Sequence, residues 1–540
     1  MTARRRHALI AALVAGLVAI GVIAASGGDV EPPPDRAAAL VPAGALLYLH
    51  LATDRAGGDG DEASAAGVAE RVPLLARLRD ALLARAGASG GGFDFESDVR
   101  PWLGEEAAAA LVGPSARDAR SLLLFEAGDE TGARAFMERL AGAAEPTLYR
   151  DAEIVGTPAL ASALVDGFVV VGPLDLVRAT IDVHAGASPA LAGDREYVGL
   201  RARLPAGRLV SAFASRPGLQ GLLAGPASPL AAFPGVDDLG AAALGVSVEG
   251  QRVRMSVRGV APRAATASGD SCAAPAPTER PSAADVPAAA LVYAEVPDGA
   301  CFLRGQLAST SSPLGGSLRR FAGEIRSEAD VDLLREIVPL LAGPTTLAVT
   351  REGEAAPVAT LVARGVSGDA LSVLERLQPA LVRLAENAGV APPLSPGGTA
   401  RVPAASAPGQ APGFTAQEID GGTAFSAALA PGFEPSYGSF DGRLAVSTAL
   451  EGVEQAAGGP ATALADSSDY RLLLGGSSPS ASGTVFLDLD RLLALGDEVG
   501  LGSEQSYAAA RADLRSIDAV AAVFSREGSR SDAEVLLKTP

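Results

Sequence analysis

An internal repeat is the feature that most constrains how this chain can fold. The segment VPAGALLYLHLATD begins at Val41, and a closely similar segment, VPAAALVYAEVPD, begins at Val286. Four further pairs of similar segments follow these two in the same order along the chain. Because chance rarely produces collinear matches of this kind, the sequence predicts a tandem duplication of one folding module.

Local patterns predict the class of each module. Asp-Gly dipeptides at 166–167 and 441–442 lie between apolar runs, which is a strong signal for a β-hairpin with a type I′ turn. Leucines at helical spacing, as in PLLARLRDALLARA from Pro73, predict amphipathic helices. Strands joined by tight turns favour antiparallel pairing. We therefore predict an α+β fold of two modules, each a mainly antiparallel sheet with helices packed on one face.

The repeat and the composition of the segments around it give the domain boundaries. The first α+β repeat is predicted at 40–260 and the second at 286–540. An Ala/Pro/Ser-rich linker at 261–285 separates them, and a similar stretch at 389–413 interrupts the second repeat as a flexible insertion.

The beginning of the chain has the pattern of an exported protein. Three arginines at positions 4–6 precede an uncharged run at 8–25, which as a helix would span about 27 Å. We expect residues 1–29 to be a signal-anchor with a cytoplasmic N-terminus, followed by a Pro-rich stalk at 30–39. The alternative is a signal peptide cleaved around 24–26, which would release the protein. Both alternatives place the bulk of the chain outside the cytoplasm.

The two cysteines, Cys272 and Cys301, could pair in such a compartment. In the chain-entropy model, closing a loop of that length would stabilise the fold by roughly 3–4 kcal/mol. The sequence alone leaves two unrelated thiols as the alternative.

The charge of the chain excludes one class of partner. With a net charge of −19, the protein repels phosphate backbones, so nucleic-acid binding is not expected.

Residues with catalytic potential are sparse and scattered. His50 lies in the first predicted strand and His184 near a predicted helix end, and these two are the candidates for a general base. The GASGG segment from Gly87 matches a nucleophile-elbow pattern without the strand that this motif needs. Acidic groups occur at Asp59, Asp61, Glu62, Asp94, Glu96, Asp98, and, on one face of a predicted strand, Asp488 and Asp490. None has the spacing of a calcium loop, and we predict no catalytic, cofactor-binding or metal-binding residues.

Several segments carry a resemblance to a known family. LVPAGALLYLHLATD, WLGEEAAAALVG from Trp102 and the hairpin DGFVVVG from Asp166 resemble the actinobacterial envelope proteins grouped as domain of unknown function 3352. The second repeat departs from this pattern, because VPLLAGPTTLAVT lacks the tryptophan. The resemblance implies an exported or membrane-anchored protein, and it assigns no catalytic residue.

Two functions remain open from the sequence. The first is a non-enzymatic binding or scaffold protein of the bacterial cell envelope, which is anchored in the cell membrane and binds an envelope protein or an apolar ligand without a cofactor. The alternative is an envelope hydrolase or metal-dependent enzyme that uses Asp and Glu together with His50 or His184.

Overall fold

The computed structural model describes residues 35–52, 95–116, 118–206, 208, 210–223, 240–260, 282–308, 313–366, 370–387, 413–429, 433–476 and 481–540. The chain forms two compact units. The first unit comprises Met1–Gly269, Arg526–Val535 and Thr539–Pro540, and the second comprises Asp270–Ser525 and Leu536–Lys538. Mixed helix and antiparallel sheet confirm the α+β class.

In the first unit the strands are β1 (Ala45–Ala52), β2 (Leu103–Val112), β3 (Arg120–Ala127), β4 (Thr147–Tyr149), β5 (Ala152–Gly156), β6 (Ala161–Val165), β7 (Phe168–Gly172), β8 (Val210–Ala214), β9 (Ala241–Glu249) and β10 (Arg252–Val260). Its helices are α1 (Glu130–Ala141), α2 (Leu174–His184), α3 (Arg195–Arg201) and α4 (Arg216–Leu223). Antiparallel pairing gives the strand order β4-β5-β6-β7-β3-β2-β1-β8-β9-β10.

In the second unit the strands are β11 (Ala290–Val296), β12 (Thr345–Thr350), β13 (Val358–Arg364), β14 (Thr415–Ile419), β15 (Gly422–Ser426), β16 (Ser436–Phe440), β17 (Arg443–Ser447), β18 (Gly483–Asp488) and β19 (Ala519–Glu527). The last strand, β20 (Arg530–Lys538), belongs to the first unit up to Val535 and to the second unit from Leu536. Its helices are α5 (Gly299–Ala308), α6 (Pro313–Ala329), α7 (Ala370–Asn387), α8 (Leu450–Gly458), α9 (Ser468–Leu474), α10 (Leu489–Glu498) and α11 (Gln505–Leu514). Antiparallel pairing gives the strand order β14-β15-β16-β17-β13-β12-β11-β18-β19.

Helices cover both faces of each sheet, so the prediction of helices on one face is wrong. Neighbouring residues of a strand point to opposite faces. In β1, Leu47 packs with Leu219 of α4, whereas Tyr48 joins a core that includes Ile181 of α2. Strand β7 is buried along its whole length. A strand whose two faces are covered has a near-continuous apolar sequence, whereas a strand with one solvated face alternates apolar and polar residues.

The second unit has the same arrangement around β17. Leu444 packs in a cluster with residues of α5, α6 and α7, and the next residue, Ala445, packs with Val453 of α8. The two clusters therefore lie on opposite faces of the sheet.

The hairpin turns follow the sequence prediction in both units. Asp166 and Gly167 have φ values of 50° and 79°, and Asp441 and Gly442 have values of 47° and 70°. Two consecutive positive φ angles define a type I′ turn, which Asp-Gly favours because Asp tolerates and Gly readily adopts the left-handed region.

The short segments before the first strand of each unit correct two predicted boundaries. Residues 35–39, which the sequence assigns to the stalk, include a 3₁₀ turn at Ala37–Ala39 whose first two alanines are buried. Residues 282–285, assigned to the linker, form a corresponding 3₁₀ turn at Ser282–Asp285 with Ser282 and Ala283 buried. Small residues pack closely here without the hydropathy that marks a core segment.

Candidate functional site

The first strand carries a polar group into the core of the first unit. Tyr48 and His50 are two residues apart in β1, so their side chains share one face of the sheet. Both are buried, with 1% and 6% of their surface exposed. Together with Asp35, Glu106 and Tyr197 they form what we call the first-unit polar cluster.

Asp35 is the acceptor at the centre of this cluster. Its side chain is fully buried. Oδ1 accepts hydrogen bonds from the Tyr48 hydroxyl at 2.5 Å and from the backbone N–H of Ala38 at 3.2 Å. Oδ2 accepts a hydrogen bond from the Tyr197 hydroxyl and lies 3.5 Å from Nε of Arg201. A buried carboxylate needs this number of partners to offset its desolvation.

Local capping positions the second tyrosine. Asp194 is the N-cap of α3, and its Oδ1 accepts a hydrogen bond from the backbone N–H of Tyr197 at 2.9 Å. This fixes the first turn of the helix and directs the tyrosine ring towards Tyr48. The two rings meet edge to face, with centroids 5.8 Å apart.

Both tyrosines remain protonated at neutral pH. Burial raises the pKa of Tyr48 well above its ordinary value, and the neighbouring Asp35 carboxylate raises it further. Burial likewise raises the pKa of Tyr197, again with a contribution from Asp35. The hydroxyls therefore act as permanent hydrogen-bond donors to the carboxylate.

Glu106 of β2 is the second buried carboxylate and is 2% exposed. Its Oε1 accepts a hydrogen bond from the backbone N–H of Ala37 at 2.8 Å, and its Oε2 lies 3.5 Å from Nε of Arg36. Arg36 also pairs with Glu126, and these two carboxylates raise the pKa of the guanidinium although burial opposes the rise.

His50 lies beside Glu106. Its Nε2 atom is 3.2 Å from Oε1 of Glu106, which is an ion-pair distance if the ring is protonated. The two atoms do not form a hydrogen bond, however, and Nε2 has no other hydrogen-bond partner. Across the sheet, His50 pairs with Ser211 of β8. One ligand atom from each of Asp35, His50 and Glu106 can be chosen so that all three lie within 4.8 Å of one another.

The other candidates from the sequence do not join this cluster. His184 is the last residue of α2 and is exposed. Asp98 lies 3.6 Å from Arg139 in an ion pair. Asp59, Asp61, Glu62, Asp94 and the GASGG segment lie outside the described residues, and Glu96 falls in a turn at Phe95–Val99.

The prediction that Asp488 and Asp490 share a strand face is wrong. Strand β18 ends at Asp488, whose carboxylate caps helix α10 by accepting a hydrogen bond from the backbone N–H of Arg491 at 3.0 Å. Asp490 therefore lies in the first turn of that helix. Asp is a favoured N-cap residue, and this preference overrides the alternating pattern.

The second unit contains a simpler group at the matching place, the second-unit polar cluster of Ser282, Tyr293, Glu295 and Tyr470. Glu295 Oε1 accepts a hydrogen bond from Ser282 Oγ, and Oε2 accepts one from the Tyr293 hydroxyl, both at 2.5 Å. The rings of Tyr293 and Tyr470 meet edge to face with centroids 5.9 Å apart. Burial raises the pKa of Tyr293, and raises the pKa of Tyr470 to about 12.

The cysteines are only partly described. Cys301 is buried in the first turn of α5 and is disulfide-bonded. Cys272 lies outside the described residues, so the pairing of the two stays a prediction.

Comparison with known protein families assigns the chain. The model of the family described as "Protein of unknown function (DUF3352)" matches residues 7–538. The chain belongs to this family. The match confirms the family resemblance of the sequence motifs and covers both units.

Other comparisons add little. Two solved structures of TP0453 are similar to part of this chain. Crystal form I has 11% sequence identity and a TM-score of 0.28, and the match covers 42% of this chain and 78% of TP0453. Crystal form III has 12% identity and a TM-score of 0.27, and the match covers 42% of this chain and 79% of TP0453. Scores this low support no conclusion about fold or function. Among curated proteins, none matches the sequence. Within the described part of the chain, every helix is too short or too polar to cross a membrane, and residues 8–25 lie outside that part.

Proposed function

We propose that this chain is an extracytoplasmic protein, held at the bacterial cell membrane by residues 1–29, that acts as a non-enzymatic binding or scaffold protein of the cell envelope. The basic triplet and the apolar run at 8–25 support the anchor. The disulfide at Cys301 supports an oxidising compartment, because the cytoplasm keeps thiols reduced.

The observation that carries the non-enzymatic part of the proposal is the burial of His50. A general base must reach the proton that it removes from a substrate. His50, Glu106 and Ser211, which together have the residue types of a hydrolase, are 6%, 2% and 6% exposed. A substrate would have to open the core of the first unit to reach them. The alternative of an envelope hydrolase or metal-dependent enzyme would need His50 or His184 in an accessible cleft with a nucleophile or an activated water.

We further infer that the two units descend from one duplicated module. Their strands pair in the same order, β7-β3-β2-β1-β8-β9 in one and β17-β13-β12-β11-β18-β19 in the other. Both place an edge-to-face tyrosine pair on the first strand and on the short helix before the β8 or β18 strand. Such a body can present two related surfaces to a partner protein or an apolar ligand.

Location is tested by expressing the full chain in a bacterial host that exports it and separating membrane, supernatant and cytoplasm. We expect the chain in the membrane fraction after carbonate washing, and accessible to protease added to intact protoplasts. Release into the supernatant with a new N-terminus near residue 26 would establish the cleaved alternative. Retention in the cytoplasm would contradict the proposal.

Ligand binding is tested by native mass spectrometry of the full chain purified in mild detergent from that host. A reproducible added mass that disappears on denaturation would identify a carried apolar ligand. A mass equal to that of the polypeptide directs the search to a protein partner, by crosslinking at the membrane. Turnover of a substrate by the purified chain that is lost in His50→Gln or in His184→Gln would contradict the non-enzymatic proposal and support the alternative.

A further inference from the structure

The imidazole of His50 contains a buried nitrogen whose role the packing of the first unit does not explain. Its ring is more than nine-tenths buried, and Nε2 has no hydrogen-bond partner. Buried polar atoms are nearly always satisfied, and each exception calls for a physical explanation. The ring lies beside the two buried carboxylates of the first-unit polar cluster, Asp35 and Glu106.

We propose that Asp35, His50 and Glu106 bind one divalent transition-metal cation of the Zn²⁺ class. The distance between Nε2 of His50 and Oε1 of Glu106 is 3.2 Å. Two ligand atoms bound to the same Zn²⁺ at about 2.0–2.1 Å in tetrahedral geometry lie roughly 3.3 Å apart. Asp35 supplies the third ligand, since one ligand atom from each of Asp35, His50 and Glu106 can be chosen so that all three lie within 4.8 Å of one another.

The orientation of the imidazole favours a metal over a direct hydrogen bond. In a hydrogen bond, the N–H of the ring points at the acceptor atom. In a metal site, the ring nitrogen points at the cation, and the neighbouring ligand atom lies well off that direction. His50 lacks the first arrangement, because Nε2 lies 3.2 Å from Oε1 of Glu106 and makes no hydrogen bond to it.

The chemistry of the ligands selects the class of cation. Imidazole suits Zn²⁺, Fe²⁺ and related ions, whereas Mg²⁺ and Ca²⁺ prefer sets made of oxygen atoms alone. The outer contacts of the carboxylates support their orientation, since Glu106 also accepts a hydrogen bond from the backbone of Ala37, and Asp35 accepts them from two tyrosines.

The charged groups in and around the cluster have a net negative charge. The carboxylates that interact with the cluster or its arginines are Asp35, Glu106, Glu126 and Asp166, and the guanidiniums are Arg36, Arg201 and Arg208. Among these groups, negative charges exceed positive charges by one. A bound cation would offset this excess.

The second unit provides an internal control. The register of β1 with β2 pairs Tyr48 with Ala110, and the register of β11 with β12 pairs Tyr293 with Ala348. Counting from these pairs, Glu295 takes the position of His50, and Pro344, which has no ligand atom in its side chain, takes that of Glu106. The site therefore belongs to the first unit, and we expect one cation per chain.

The test uses the full chain in mild detergent, stripped with a chelator and titrated with Zn²⁺ alone by calorimetry. The variants are His50→Gln and Glu106→Gln, with His184→Gln as the matched control on an exposed histidine. We expect one Zn²⁺ per chain for the wild type and the control. Each of the first two substitutions should weaken binding at least about tenfold, since even indirect partners of a metal are worth that much.

Correct folding of the variants is checked by circular dichroism and by the fluorescence of Trp102, which lies in the first unit. If either buried variant fails to fold, X-ray absorption spectroscopy of the Zn²⁺-loaded wild type replaces the measurement on that variant. We expect nitrogen and oxygen neighbours at about 2.0–2.2 Å from the zinc and a contribution from an imidazole ring. Absence of Zn²⁺ binding, binding unchanged by His50→Gln, or a spectrum without imidazole would each overturn the proposal.

Discussion

The two polar clusters use the same tyrosine pair but obtain their carboxylate from different places. In the second unit, Glu295 lies two residues after Tyr293 on the same strand and accepts its hydroxyl hydrogen directly. In the first unit, that strand position is His50, and the acceptor is Asp35, from the segment before the strand. Asp35 also accepts a hydrogen bond from Tyr197, 162 positions away in sequence.

This difference shows which part of the arrangement the fold requires. The edge-to-face tyrosines are present in both units, with ring distances that agree within 0.1 Å. The tyrosine hydroxyls are buried and therefore need a hydrogen-bond acceptor. A carboxylate from any nearby residue can be that acceptor. Once Asp35 takes that role, the strand position is free to hold a histidine, and Glu106 can be added beside it.

The largest expected effect is the alkaline unfolding of both units. Burial raises the pKa of Tyr48, Tyr197, Tyr293 and Tyr470 in the folded chain. The stability that these groups contribute is fully present below their unfolded pKa of about 10 and is lost as the pH rises above it towards the folded values. We expect tyrosinate absorbance from four of the seven tyrosines to appear only together with the loss of circular dichroism.

Ionisation of all seven tyrosines in a chain that keeps its circular dichroism would contradict this prediction. A titration in which one unit unfolds well before the other would instead show that the two clusters differ in strength.

Substitution of the central carboxylate of each cluster should destabilise the two units to different extents. Asp35→Ala leaves two tyrosine hydroxyls without an acceptor and Arg201 without its partner, which should cost about 3–5 kcal/mol in the free energy of unfolding. Glu295→Ala removes the acceptor of two hydroxyls and no ion pair, and should cost about 2–3 kcal/mol. Trp102 is the only tryptophan, so the urea midpoint measured by its fluorescence reports the first unit, while circular dichroism reports both.

One result would contradict the expectation that each carboxylate stabilises its own unit. If Glu295→Ala lowers the tryptophan midpoint as much as Asp35→Ala does, the two clusters do not stabilise their own units separately. The isosteric variant Asp35→Asn serves as the control for lost side-chain volume.

Smaller substitutions test how much redundancy each cluster has. Tyr48→Phe leaves Asp35 with its contacts to Ala38, Tyr197 and Arg201. Tyr293→Phe leaves Glu295 with the Ser282 hydroxyl. We therefore expect about 1 kcal/mol for the first change and about 2–3 kcal/mol for the second, measured by urea unfolding with circular dichroism. Equal costs would mean that the extra partners of Asp35 do not compensate for a lost hydroxyl.

The smallest effect is expected where the two units are alike. Asp166→Ala and Asp441→Ala place alanine at φ values of 50° and 47°, which alanine adopts less readily than aspartate. Each should lower the free energy of unfolding by about 1 kcal/mol, and Asp→Asn at the same positions should have little effect. Urea unfolding of the four variants checks this, and a clear difference between the two alanine variants would show that the turns are not equivalent.

Features written in short stretches of sequence could be predicted. The Asp-Gly turns depend on two adjacent residues, and both occur with the expected φ angles. Trp102, which begins one of the family-like segments, is 3% exposed and contacts Phe136 at a ring distance of 5.3 Å. His184 lies at the end of a helix, as its surroundings indicate.

The polar cluster could not be predicted, because its members are brought together by the sheet. Asp35 follows three prolines and looks like part of a stalk, and nothing near it in sequence indicates a partner at Tyr197. Glu106 lies among alanines of β2 next to Glu105, and the sequence does not show which of the two is buried. Pairing of β1 with β2 and β8 places these groups around His50, and that register is a long-range property.

The anchoring of Asp35 in the core also limits how far the protein can reach. If residues 8–25 lie in the membrane, as we propose, the tether to the first packed residue is only the stretch from 26 to 34. Fully extended, these nine residues span about 30 Å. The first unit would thus be held next to the lipid surface, and any partner of that unit would have to be a membrane component or come close to the membrane itself.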